Sequence, residues 1–310
     1  MRWASRASGL SARLAAAPPR DWAPSVATGP GSPDSSPLPR WLATELGARV
    51  ASAIVLVAAA LVATYEGGWL FALFWLVAGT AIMAEWIAMT DAEPRLPLQV
   101  LFGATLGTLT FFYLGGFDLA AYALVSGAAI VASLILARRA RDRGWTAAGF
   151  LYAAVIAIVP PIVRDQPDLG MVGLVWMFAV VWATDIAAYF TGRRLGGPKL
   201  WRRVSPKKTW SGFGGGLVAG VLAGLAVALS AERLGWTPLF GWPAVAALSA
   251  TASVASQIGD LGESALKRGC DVKDSSHLIP GHGGVMDRVD GFWAVCALVG
   301  VALLIRPVAQ

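Results

Sequence analysis

Residues 257–291 read QIGDLGESALKRGCDVKDSSHLIPGHGGVMDRVDG, a charged run between two apolar segments. At helical spacing its first part brings two acids, a hydroxyl and a cation onto one face: Asp260, Glu263, Ser264 and Lys267. The run then reaches residues 279–284, where a proline removes a backbone donor and three glycines let the backbone approach a ligand closely. This order of groups indicates a site for phosphate.

Carboxylates at the end of the run indicate a metal ion. Asp287 and Asp290 are three residues apart at the start of an apolar segment, so both can face the same side. Carboxylates together with phosphate oxygens are the usual ligands of Mg²⁺. The alternative is a solvated loop whose charges serve only membrane topology. The ordered mixture of acids, bases, glycines and histidine favours a metal-dependent phosphate site.

A longer pattern runs through the same stretch. It comprises Ser264, Leu266, Lys267, Arg268, Lys273, Asp274, Ser276, Ile279, Pro280, His282, Gly283, Gly284, Val285, Asp287, Arg288, Val289 and Asp290. The pattern resembles the signature of the phosphatidate cytidylyltransferases, the CDP-diacylglycerol synthases. Earlier in the chain Asp185 precedes Tyr189, Phe190 and Gly192, and residues 205–209 read SPKKT, as in members of that family. Ser211 departs from the family, which commonly has a glutamate there.

The composition identifies an integral membrane protein. Of 310 residues 56% are hydrophobic and 14% are charged, and the mean hydropathy is +0.61, which is too apolar for a soluble fold of this size. The net charge of +6 could suggest nucleic acid, but the basic residues interrupt apolar segments and form no continuous stripe. We therefore expect the lipid bilayer, and no nucleic acid, as a partner.

Nine apolar segments are long enough to cross a hydrocarbon core of about 30 Å. They are residues 50–65, 68–89, 98–114, 119–137, 147–163, 171–190, 214–230, 239–257 and 292–305. We predict an all-α, polytopic helix bundle of about nine transmembrane helices, with residues 47–310 as one membrane-embedded domain. Residues 1–46 are predicted to be a disordered basic extension, and their Arg-rich, acid-poor start also resembles an organellar transit peptide.

The distribution of lysine and arginine predicts the orientation. With nine spans, 22 of the 25 basic residues fall on one side, which the positive-inside rule assigns to the cytoplasm. The N-terminus and the segments 185–212 and 257–291 are then cytoplasmic, in a bacterial inner membrane. The segment 193–208 carries seven of these cations, which suits either anionic lipid heads or a bound phosphate.

Small and polar residues within the spans predict close helix packing. Glycines recur every four residues, at Gly212, Gly216, Gly220 and Gly224, which allows a neighbouring helix to approach along one face. The eighth span carries a polar row that we expect to face protein, namely Ser249, Thr251, Ser253, Ser256 and Gln257. Glu85 and Asp185 are acids within spans and hence candidates for function. Pairing of Glu85 with a lysine or arginine is an equal alternative.

The resemblance implies transfer of the cytidylyl group of CTP to phosphatidic acid, giving CDP-diacylglycerol and pyrophosphate. It implies metal binding by Asp260 and Asp287, with Mg²⁺ and a monovalent cation as candidates. The implied catalytic residues are Asp260, Lys267, Arg268, Lys273, Asp274, His282, Arg288 and Asp290. The implied substrate-binding residues are Asp185, Ser205, Lys207, Lys208, Thr209, Ser264, Gly281, Gly283 and Gly284.

Two other functions remain open at this point. A CTP-dependent polyprenol or dolichol kinase-like enzyme would use the same nucleotide but transfer its γ-phosphoryl group. A transporter would be expected to place charges near the midplane in repeated halves, whereas here they collect at span ends. A homodimer is compatible with either enzyme.

Overall fold

The computed structural model describes residues 45–167, 169–236, 240–279 and 283–305. Within them the chain forms nine α-helices and one β-hairpin. In chain order these are α1 (Glu45–Glu66), α2 (Gly68–Thr90), α3 (Arg95–Gly115), α4 (Leu119–Leu136), α5 (Ala140–Asp165), α6 (Gly170–Leu195), β1 (Lys199–Trp201), β2 (Ser205–Thr209), α7 (Trp210–Arg233), α8 (Trp242–Gly269) and α9 (Met286–Ile305). Most of the predicted extension 1–46 lies outside the described residues.

The all-α, polytopic membrane bundle is confirmed. Each of the nine predicted spans corresponds to one helix, and most helices extend beyond the apolar part that predicts them. Among the described residues, seven helices are long and apolar enough to cross a membrane: α2 to α7 and α9. The apolar part of α1, Val50–Glu66, is shorter. Helix α8 is also not among these seven helices, and it carries the polar residues 249, 251, 253, 256 and 257.

The loops alternate between the two ends of the bundle. At one end Arg139 Nη2, before α5, lies 2.8 Å from Glu93 Oε1, between α2 and α3. At the opposite end Arg164 Nε, near the end of α5, donates to the carbonyl of Thr64 in α1 at 2.9 Å. This alternation is what helices that cross the bundle in successive opposite directions require. Which end faces the cytoplasm remains a prediction.

The glycine repeat brings α7 close to α6, as predicted. All four glycines of the repeat are buried. A Cβ on Gly216 would lie 2.9 Å from the carbonyl oxygen of Thr184, and one on Gly220 would lie 2.5 Å from Thr184 Oγ1. A side chain at either position would overlap α6, so the approach depends on glycine.

The polar row of α8 faces protein at four of its five positions. Ser249 Oγ accepts a hydrogen bond from Trp176 Nε1 at 2.9 Å, and Ser253 Oγ accepts one from Thr184 Oγ1 at 2.9 Å. Ser256 and Gln257 are also buried. The prediction is wrong for Thr251, which is exposed and donates to the carbonyl of Ala247 one turn earlier. Residues 249 and 251 are two apart, so they cannot share a helix face.

A short hairpin lies in the cation-rich segment 193–208 and its continuation, for which the sequence predicts no strand. Strands β1 and β2 are antiparallel, with Lys199 opposite Thr209 and Trp201 opposite Ser205. Thr209 ends β2 and is also the N-cap of α7, where its hydroxyl accepts from the amide of Gly212 at 3.1 Å. The hairpin is therefore joined to α7 without an intervening linker, which fixes where Lys207 and Lys208 lie.

Replacing Gly220 by alanine tests the close packing of α6 and α7. Overpacking costs about 1–3 kcal/mol, which exceeds the gain of about 1 kcal/mol that alanine brings over glycine in a helix. We expect a lower midpoint of thermal unfolding in detergent. The control is Gly214→Ala in the same helix, where the added Cβ meets no described atom within 4 Å. Equal midpoints for the two variants would contradict the packing described here.

Candidate active site

Acids and lysines from separate elements meet at one end of the bundle. Lys208 of β2 forms an ion pair with Asp260 of α8, and the Asp260 side chain remains 31% exposed. Asp185 of α6 interacts electrostatically with Asp260, with Lys208 and with Arg288. These contacts bring the predicted segments 185–212 and 257–291 into one site.

Lys267 connects two carboxylates. Its Nζ lies 2.6 Å from Glu263 Oε2 and 2.5 Å from Asp287 Oδ1. Burial raises the pKa of Glu263 to about 7, although the hydrogen bond from Lys267 acts to lower it. Desolvation lowers the pKa of Lys267, but its bonds to Asp287 and Glu263 outweigh this and raise it. Lys267 therefore stays charged and holds the end of α8 against the start of α9.

Asp287 is held by the loop that precedes α9. Its Oδ2 accepts hydrogen bonds from the amide of Gly284 at 2.8 Å, and from the amide and hydroxyl of Ser275 at 2.9 Å each. Gly283 has a φ of +84°, a conformation that favours glycine. The carbonyl of Gly283 accepts from the amide of Ile279 at 2.8 Å. The predicted approach of this backbone to a phosphate stays a prediction, and in the structure the amide of Gly284 is directed at a carboxylate.

Glu85 of α2 reaches the same loop, and among the described residues it does not take the alternative of pairing with a lysine or arginine. The carboxylate is buried, with 4% of the residue exposed. Its partners are two hydroxyls and two backbone amides, from Ser275, Ser276, Val285 and Met286. The sequence singles out Glu85 as an intramembrane acid, but nothing in its local pattern indicates these partners.

An apolar cavity of about 720 Å³ lies beside this loop. Its lining comes from α1, α2, α6, α9 and the segment 278–279, and Arg288 is the charged residue among the described lining residues. Phe292 stacks on Trp75, with ring centroids 5.2 Å apart, and on Phe178, at 4.9 Å. The charged site and a cavity suited to hydrocarbon therefore share the start of α9.

The other predicted residues lie around this site with differing contacts. Asp290 is half-buried and accepts from the amide of Gly291 at 2.8 Å. Arg268 donates to the carbonyl of Val272 at 3.2 Å, which places it at the end of α8. Residues with exposed or partly exposed side chains are Ser205, Lys207, Ser264, Lys273 and Asp274. Gly281 and His282 lie outside the described residues.

The carboxylates fit a hard divalent cation bound together with a substrate. Within the described ranges no three His, Cys, Asp or Glu side chains form a ready-made metal cage. Mg²⁺ does not need one, because it commonly takes one or two carboxylates and completes its shell with water and phosphate oxygens. Asp260 is suited to this role, since it is partly exposed and held by a single lysine among the described contacts. In Asp287, Oδ2 is taken up by the loop, so Oδ1, which contacts Lys267, is the oxygen that a cation would use.

Comparison with known proteins agrees with this arrangement. Residues 47–305 match the model of the cytidylyltransferase family. A phosphatidate cytidylyltransferase of Brucella suis is 44% identical over 257 residues, covering 83% of this chain and 92% of the relative. One of Haemophilus influenzae is 34% identical and covers 79% of this chain and 94% of its own length. One of Bacillus subtilis is 42% identical over 132 residues.

Proposed function

The chain belongs to the cytidylyltransferase family, and on that premise we propose that it is a phosphatidate cytidylyltransferase. It transfers the cytidylyl group of CTP to phosphatidic acid and releases pyrophosphate and CDP-diacylglycerol. The observation that carries the proposal is the junction of a charged cluster and an apolar cavity at the start of α9. Arg288 contributes to both. A soluble polyanion and a lipid phosphate can meet there.

The alternative functions are not favoured. A polyprenol or dolichol kinase-like enzyme would also bind CTP, but relatives that match most of the chain are named phosphatidate cytidylyltransferases. A transporter is disfavoured because the ion pairs among the described residues collect at one end of the bundle. The enzyme is therefore a nucleotidyltransferase of phospholipid biosynthesis.

The cations around the site neutralise the phosphates. Lys267, Arg268, Lys273 and Arg288 attract the triphosphate. The amide of Gly284, a predicted phosphate donor, instead donates to Asp287. An oxygen of the phosphatidate phosphate attacks the α-phosphorus of CTP, the bond to the β-phosphate breaks, and pyrophosphate leaves. The chain needs no side-chain nucleophile for this step, because the lipid supplies the attacking oxygen.

Asp260 and Asp287 would hold a divalent cation such as Mg²⁺, with Asp290 and Asp274 nearby. When bound, such an ion stabilises charge on the phosphoryl oxygens as pyrophosphate departs. In the structure both acids meet a lysine, Lys208 and Lys267 respectively. The same lysines are available to phosphate once the carboxylates take a cation.

The lipid binds with its phosphate at the rim and its hydrocarbon in the cavity. Lys208 holds the phosphate from the face of β2 that carries the contact with Asp260, and Lys207 adds positive charge from the other face. Arg288 lies on the cavity side of the same cluster. The aromatic rings of Trp75, Phe178 and Phe292 then face acyl chains. This arrangement suits an enzyme of a bacterial cytoplasmic membrane whose active site faces the cytoplasm, the source of CTP.

Product analysis tests the function directly. Purified protein is incubated with α-labelled CTP, phosphatidic acid and Mg²⁺, and we expect label to enter the lipid phase together with release of pyrophosphate. A parallel reaction with γ-labelled CTP should leave the lipid unlabelled. Label from the γ-position in the lipid would establish the kinase reaction instead.

Replacing Asp260 by asparagine tests the cation site. We expect Mg²⁺-dependent turnover to fall by about 100-fold or more, because a bound metal contributes several kcal/mol and about 1.4 kcal/mol corresponds to a factor of ten. The control is Asp271→Asn, an exposed acid at a φ of +58°, a conformation that asparagine tolerates. Near-normal turnover of folded Asp260→Asn protein would refute the assignment.

Replacing Lys207 and Lys208 by alanine tests the lipid phosphate site. A hydrogen bond to a charged group contributes about 1.5–3 kcal/mol, so we expect the KM for phosphatidic acid to rise about tenfold or more, and to rise more than that for CTP. Lys199→Ala removes an exposed cation from the same hairpin and should change neither value. Equal increases in both KM values would show that these lysines also hold the nucleotide.

A further inference from the structure

Glu85 is a buried acid in an apolar helix that the reaction above does not use. It lies in α2, one of the helices long and apolar enough to span the membrane, and only 4% of the residue is exposed. Among the described residues no lysine or arginine forms an ion pair with it. A buried carboxylate is costly unless its charge is met by hydrogen bonds or a cation, so its partners explain why the residue is accommodated.

Two backbone amides and two serine hydroxyls surround the two oxygens of Glu85. Ser275 has one hydroxyl proton, which it can donate either to Glu85 or to Asp287. Oε1 accepts from Ser276 Oγ at 2.7 Å and from the amide of Val285 at 2.8 Å. Oε2 accepts from the amide of Met286 at 2.8 Å and lies 3.1 Å from Ser275 Oγ. Each oxygen thus binds one hydroxyl from the start of the segment 275–286 and one amide from its end. A single carboxylate joins both ends of this segment.

The same contacts reach Asp287. Ser275 Oγ lies 2.9 Å from Asp287 Oδ2 as well as 3.1 Å from Glu85 Oε2. A Cβ on Gly284 would lie 2.7 Å from both oxygens of Glu85 and 1.9 Å from Ser275 Oγ. The backbone therefore passes between the two acids with no room for a side chain. The position of Glu85 determines where the Gly284 amide and the Asp287 carboxylate can lie.

We infer that Glu85 is a positioning residue of the active site, which ties residues 275–276 to residues 285–286 so that Asp287 is presented to the substrates. This inference rests on the proposed function for the role of Asp287, and on the hydrogen bonds alone for the ordering of the segment. In this proposal Glu85 acts through these hydrogen bonds and not by contact with the reacting groups. It acts from a different helix, about 200 residues earlier in the chain.

Replacing Glu85 by glutamine removes a hydrogen-bond acceptor while it keeps the size of the side chain. In Glu85→Gln the side chain keeps its shape, but its NH₂ group replaces one of two accepting oxygens, so the amide of Val285 or of Met286 loses its acceptor. A buried donor without an acceptor is penalised. We expect amide hydrogen exchange within 275–286 to become about tenfold faster or more. We also expect kcat to fall and the Mg²⁺ concentration for half-maximal activity to rise. The KM for phosphatidic acid should stay within twofold.

Two controls keep the test decisive. Glu66→Gln changes an exposed carboxylate at the end of α1 and should alter neither exchange nor kinetics. Ser276→Ala removes one hydroxyl donor and supplies a milder variant should Glu85→Gln fail to fold. If Glu85 acts through Asp287, the double variant Glu85→Gln, Asp287→Asn should be no slower than Asp287→Asn alone.

The outcomes distinguish this inference from the proposed function. Unchanged exchange in 275–286 would overturn it, as would faster exchange spread evenly over all helices with an unchanged kcat. Multiplicative losses in the double variant would show that Glu85 acts independently of Asp287 and would also overturn it. If the unmodified protein makes no CDP-diacylglycerol, the proposed function fails, while the exchange result still decides whether Glu85 orders the segment.

Discussion

The site depends on hydrogen bonds that buried carboxylates accept from the backbone at the start of α9. Asp287 accepts the amides of Ser275 and Gly284, and Glu85 accepts those of Val285 and Met286. The first amides of a helix have no partner within the helix, and its N-terminus carries partial positive charge. Glu85 accepts the free amide of Met286, and both acids lie at the helix end where the dipole stabilises negative charge. The carboxylates of Glu85 and Asp287 thus help to fix the backbone that leads into α9.

Close helix packing positions the other half of the site. The glycines of α7 let α6 approach, and the buried serines of α8 bind Trp176 and Thr184 of α6. Apolar contacts alone give little preference among helix faces in a lipid environment, whereas small residues and interhelical hydrogen bonds do. The three helices are therefore fixed in rotation as well as in distance. This rotation places Asp260 beside Lys208 and Asp185.

Some of this arrangement could be predicted from sequence, because it repeats at the period of the helix. The glycines of α7 and residues 249, 253, 256 and 257 of α8 follow that period, and Thr251 does not, which is why its predicted burial was wrong. The β-hairpin was missed because a cation-rich segment with two prolines has no alternating apolar pattern. The sequence near Glu85 does not predict its partners, because the groups that donate to it are about 200 positions away in the chain.

The direct junction of β2 and α7 leaves this part of the chain little tolerance for changes in length. Lys207 and Lys208 occupy successive strand positions and so point to opposite faces, with Lys208 toward Asp260. Thr209 follows at once as the helix cap. A single residue inserted between Lys208 and Thr209 would exchange the faces of the two lysines or break the cap. Insertions should therefore be tolerated better in the turn at 202–204 than in β2, which follows it.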